Sequence, residues 1–138
     1  MIFRKLTRRP ALGVRSGRLK PLGSRPHGVS SQSPNREFQV EPFYYSGNSQ
    51  AAWNRLLAII EKMDRTRLIE REPAYARFEC WSPFWGFVDD LELLVDAAGS
   101  RIEVRSAARL GYWDLGVNRK RVERIRAIYR EEPADCPG

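Results

Sequence analysis

FVDDLELLVDAAGSRIEVRSAARL, residues 87–110, decides how this chain folds. Apolar and charged residues alternate from Phe87 to Val95 and again from Arg101 to Leu110, the period of strands with one face against a core. Asp96-Ala97-Ala98-Gly99-Ser100 between them has turn composition, so the stretch reads as an antiparallel hairpin. That turn sets Leu93 opposite Val104, Glu92 opposite Arg105 and Leu91 opposite Ser106, within a slip of a residue or two. Inward go Phe87, Leu91, Leu93, Val95, Ile102, Val104 and Leu110, with Asp89, Ser106 and Ala108 on the same side. Outward go Asp90, Glu92, Glu103, Arg105 and Arg109, charges placed for cross-strand pairing.

Upstream, Phe43-Tyr44-Tyr45 suggests a short strand, and Ser46, Asn48 and Ser49 offer caps for a helix running to Met63. Trp53, Leu56, Leu57, Ile60 and Met63 recur three, four and seven apart, along one helical face. Thr66–Glu70 and Ala74–Trp81 read as strands separated by Arg71-Glu72-Pro73. Downstream, Asp114 can cap a helix starting near Leu115, with Val117, Val122, Ile125 and Ile128 or Tyr129 as its apolar stripe, ended by Glu131-Glu132-Pro133. The expectation is an α+β domain: a small curved antiparallel sheet with two helices on one face, in the order β-α-β4-α. Its shape looks like the helix-grip or TATA-binding-protein-like class, and an extended basic N-terminal arm precedes it. Domain limits are expected at 1–36 for the arm, 37–132 for the domain and 133–138 for a tail.

Charge is unevenly placed in this 138-residue chain of formal charge +7. Residues 1–36 hold nine Arg or Lys and no acid, leaving 15 basic and 17 acidic residues in the body, a charge of −2. With much Gly, Pro and Ser and no hydrophobic period, the head reads as an extended or disordered arm. It is either a solvated tail, the favoured role, or an electrostatic arm for nucleic acid or anionic lipid. No apolar run approaches the roughly 20 residues that span a bilayer, and no apolar core follows the positive start at Met1, so secretory export is not expected. Cys80 and Cys136 read as a buried thiol and a tail thiol rather than a disulfide, which points to a reducing, cytoplasmic location.

The block RSAARLGYWDLGVNRKRVERIR, Arg105–Arg126, is the most distinctive stretch. With Val29-Ser30-Ser31-Gln32 and Phe87-Val88-Asp89-Asp90-Leu91-Glu92, it resembles the signature of the bacterial domain-of-unknown-function 1499 family. Members of that family carry no assigned activity, so the resemblance implies kinship and not chemistry. They commonly carry a Cys-Pro…Pro-Asn-Cys arrangement before the Val-Ser-Ser. Leu22 and Gly28 stand at those cysteine places here and His27 at the asparagine, so a thiol, disulfide or metal role suggested by that motif is not available to this chain. The membrane or lipoprotein leader of many relatives is not expected here either.

Four groups of residues could carry function. Arg105 and Arg109, with Arg119 and Arg121 opening the next helix, could bind an anion; the favoured alternative is an Arg–Asp/Glu lattice tying sheet to helix. Asp89, pointing inward, could be a catalytic acid or base, but a carboxylate satisfied by Ser106, Asn118 or backbone is favoured. Asp114 is a helix cap by default and a ligand contact only beside an open cleft. Trp81, Phe84, Trp85, Tyr112 and Trp113 cluster near strand ends, as core closure, as a ligand pocket or as a protein contact. A nucleophile–base pair is absent because His27, the one histidine, lies in the head, and no phosphate loop or metal-ligand spacing occurs, so no cofactor and no metal is expected. The expected function is a non-enzymatic binding or accessory domain for a protein partner or an anionic or amphipathic small molecule, through Arg105, Arg109, Asn118, Arg119, Asp89, Asp114, Trp85 and Trp113. Alternatives are an enzyme pairing Asp89 or Asp114 with Arg105 or Arg109, and nucleic-acid or peripheral membrane contact through residues 1–36.

Overall fold

The structure is a computed structural model that describes residues 8–111 and 113–131. Met1, Tyr112, Pro133 and Cys136, and with them the tail expected at 133–138, lie outside those residues. The hairpin forms as β7 (Val88–Asp96) and β8 (Arg101–Ala108), in the register set by its turn: Leu93 faces Val104, Glu92 faces Arg105 and Leu91 faces Ser106. β6 (Tyr75–Trp81) pairs with β7, and β5 (Thr66–Arg71) with β6, a register shift between Leu68 and Glu70 bending that outer strand. On the other edge, β8 pairs with β3 (Gly28–Ser30) along one half and with β4 (Phe43–Tyr44) along the other. The result is a six-stranded antiparallel sheet, accompanied by a two-stranded ribbon, β1 (Val14–Arg15) and β2 (Arg18–Leu19).

Helix α1 (Ser49–Glu61) starts where Asn48 Oδ1 accepts the Ala51 amide, a cap that satisfies one of the orphan donors of the first turn. It buries Trp53, Leu56, Leu57 and Ile60, the spaced set, against Phe78, Leu91, Leu93, Ile102 and Val104. Helix α2 (Val117–Glu131) adds Val122, Ile125 and Tyr129 to the same cluster. Arg55 stacks on the Tyr129 ring at 4.0 Å and donates to the Tyr129 carbonyl, tying the helices together.

The expected curved sheet with two helices on one face, of helix-grip or TATA-binding-protein-like form behind an extended arm, is overturned. The chain is mostly β, with eight strands in two sheets and two α-helices among the described residues. Three of the strands come from the head, where no hydrophobic period announces them. Their order is supplied by partners distant in sequence: β3 by the free edge of β8, and the ribbon by the charged face of β6–β8. Leu19 closes over Tyr75 and Leu94 as a second apolar cluster on that face.

Gly28 shows how tightly β3 is drawn in. A Cβ there would sit 2.5 Å from the Ser106 carbonyl oxygen and 2.6 Å from the Ala107 backbone, so no side chain fits without moving a strand. Gly28→Ala should cost about 1–3 kcal/mol, as overpacking does. Urea denaturation would measure it, and an unchanged midpoint would contradict the close approach.

Candidate functional site

The sheet separates the candidate residues into two groups. Asp89, Leu91, Ser106 and Ala108 share the helix-side face, while Asp90, Glu92, Arg105 and Ala107 share the other. Arg109 donates to Asp90, across the sheet from Asp89. Asp89 and Asp114 are therefore not brought together with Arg105 and Arg109.

On the outer face the charges pair as their register invites, but under cover. Arg105 lies 3.5 Å from Glu92 and donates to the Lys20 carbonyl. Arg109 bridges Asp90 at 2.6 Å and Glu79 at 2.9 Å, and Arg77 reaches Asp90 at 3.1 Å. Arg9 from the head completes the set at 2.6 Å from Glu79, the Gly13 amide donates to Glu92, and the Tyr75 hydroxyl donates to Glu92 at 2.6 Å. Arg77, Glu79, Asp90, Glu92, Glu103 and Arg105 are all buried. The head carries the surplus cations and the body the surplus acids, and Arg9 is where the two meet. Burial opposes the Glu79 charge, but Arg9 and Arg109 hold its carboxyl below the usual range.

On the helix side, Asp114 caps α2: it accepts from the Gly116 amide at 3.0 Å, the Asn118 amide at 3.2 Å and Asn118 Nδ2 at 2.9 Å. Asn118, fully buried, accepts from Ser106 Oγ and from Arg121 Nη1, both at 2.7 Å. Arg121 then reaches Asp89 at 2.7 Å. Burial pushes the Asp89 carboxyl up from its ordinary value, with Arg121 pulling against it. Arg119 points away and donates to the Glu37 and Gln39 carbonyls, holding the 3₁₀ turn Arg36–Phe38 to α2. Arg105, Arg109, Asn118 and Arg119 thus all hold the fold together.

His27 is buried and not part of a flexible head. Its Nδ1 lies 3.0 Å from the Arg25 carbonyl, which can only accept, so Nδ1 carries a proton, and it is burial that disfavours a second one on the ring. Burial lowers its pKa from 6.5. Below that value the unfolded chain takes up a proton that the folded chain resists, so His27 favours the fold at neutral pH and ceases to as pH falls through its folded pKa. Asp89 acts in the opposite sense, but cancels in a comparison with His27→Gln. The wild-type stability relative to that variant should decline as pH falls below about 6.5; a flat difference would contradict a buried ring that resists protonation.

The remaining candidates form a different surface. The loop from Ser82 to Phe87 and the residues 110–111 and 113–117 lie at the same end of the sheet, where the Arg109 amide bonds the Val88 carbonyl. Phe84, Trp85, Phe87, Leu110, Trp113, Leu115 and Val117 are seven of the nine exposed large apolar side chains among the described residues. Phe87, Leu110 and Val117, expected in the core, sit here instead, because the strands end at Val88 and Ala108 and the helix begins at Val117. Phe84 is 86% exposed, Trp85 67% and Trp113 66%. Leu115 is also exposed and held at φ 57°, a left-handed conformation that Gly or Asn takes at less cost. The sequence reading missed Leu115 as a contact residue; its signal was an apolar side chain beside Gly116 in a turn.

Fold and surface together define a small, mostly β domain with its sheet-face charges neutralised internally and an apolar, aromatic end left in water. The family model described as Protein of unknown function (DUF1499) matches residues 18–128, well over half of the chain, and the chain belongs to that family. No curated protein and no solved structure matches it.

Proposed function

We propose that this protein is a non-enzymatic binding or accessory domain whose contact surface is the end formed by residues 82–87, 110–111 and 113–117. The observation that carries this is the gathering of seven exposed large apolar side chains there, with Val14 and Tyr44 the other two among the described residues. A monomeric protein rarely leaves so many large apolar side chains in water at one end without a partner for them. Trp and Phe are also the side chains that dominate contact energies.

The buried networks support the same division of labour. The Arg and Asp candidates are paired within the fold. Trp85→Ala/Trp113→Ala tests the assignment. Both side chains are exposed, so melting should shift by no more than about 0.5 kcal/mol in equivalent stability. Sedimentation of the labelled protein in an extract of its own cells should show a faster species for the wild type and not for the variant. Identical profiles for the two would remove the loop end as the contact surface.

A further inference from the structure

We infer that the occupant of this end is an anionic bilayer surface, an inference that rests on reading the end as a contact surface. The apolar tips come from two separate loops. Phe84 is 86% exposed there, and Trp85 and Trp113 about two thirds exposed. Indole and phenyl rings on protruding loops suit the headgroup boundary of a bilayer, where one side of the ring is apolar and the other hydrated. A fluid surface also needs no matching groove.

Charge selects the kind of bilayer. Exposed cations lie at the roots of both loops: the Arg25 guanidinium donates to the Gly111 carbonyl, the Arg65 carbonyl accepts the Trp81 amide at the end of β6, and Lys120 stands in the first turn of α2, its amide bonded to the Gly116 carbonyl. Asp64 and Glu123 are exposed acids close to them along the chain, Glu123 paired with Arg126 at 2.6 Å, while Asp89 and Asp114 are engaged with Arg121 and with the start of α2. The cations of the outer face are already paired with carboxylates, so the positive rim at this end is not cancelled by its neighbours. Arg and Lys at the roots of apolar loops complement anionic headgroups, each cation adding attraction near the surface.

The test is flotation of the full chain with vesicles of phosphatidylcholine alone and of equimolar phosphatidylcholine and phosphatidylglycerol. Binding is expected to the anionic vesicles only, with a blue shift of tryptophan emission. Trp85→Ala/Trp113→Ala should weaken it about tenfold or more. Arg25→Ala/Arg65→Ala/Lys120→Ala should weaken it roughly a hundredfold and flatten its salt dependence. No binding to anionic vesicles overturns the inference, as does binding that survives the tryptophan variant, which would place the contact on residues 1–36. Absent vesicle binding alongside the position-dependent assembly in extract described above leaves the contact surface standing and makes its occupant a protein.

Discussion

Arg109→Ala is expected to destabilise the protein by about 3–5 kcal/mol, a fall in melting temperature of roughly 10–20 °C. Arg109 donates to Asp90 at 2.6 and 3.1 Å and to Glu79 at 2.9 Å, with its side chain only 6% exposed. Asp90 and Glu79 are themselves buried, so removing the guanidinium leaves carboxylates in a low-dielectric layer with Arg77 and Arg9 as their remaining cations. The charge of an isolated surface pair would be lost for less than about 1 kcal/mol. Thermal melting followed by circular dichroism distinguishes the two cases. A shift of only a degree or two would mean that the outer face is open to water.

Truncation to residue 21 is expected to cost about 3–5 kcal/mol as well, for a different reason. It removes Leu19, 4% exposed, from its contact with Tyr75 and Leu94, and takes away the Arg9 guanidinium, the Gly13 amide and the Lys20 carbonyl that engage Glu79, Glu92 and Arg105. The charged face would then meet water, and hydration would offset part of the loss. The decisive consequence is non-additivity. In the truncated chain Arg109→Ala should cost no more than about 1 kcal/mol, because the carboxylates it abandons are now solvated. A double-mutant cycle with urea unfolding reads the coupling directly, and equal costs in both backgrounds would show that the head does not seal the face.

The hairpin was legible because two independent signals agreed. Alternation from Val88 to Val95 and from Arg101 to Val104 fixed which side chains face the core, and the Asp96–Ser100 turn fixed the register. Both α-helices were legible from their apolar stripes and from Asn48 and Asp114 as caps. The head was not, since β1, β2 and β3 are two or three residues long and owe their order to partners far along the chain. Arg9 meets Glu79 and Gly28 meets Ala107 across separations that no local pattern encodes. For the same reason the outer charges could be paired on paper but not seen to be buried.

The candidate surface was half legible. Trp85 and Trp113 stood out as aromatics in turn-rich loops, whereas Phe87 and Leu110 continued the apolar alternation past the points where the strands stop, and Val117 opens α2 at its exposed first residue. Periodicity assigns a residue to a face only while the strand lasts. Once Val88 and Ala108 end the pairing, the same residues turn outward and enlarge the apolar end.

Site-specific photo-cross-linking tests most directly whether the protein acts through that end. A benzophenone amino acid replaces Trp85, Trp113 or, as a control on an exposed apolar residue elsewhere, Tyr44, and the full chain is irradiated in its own cells. Adducts are expected from positions 85 and 113 and not from 44. Adducts of equal yield at all three positions, or none at 85 and 113, would contradict the account.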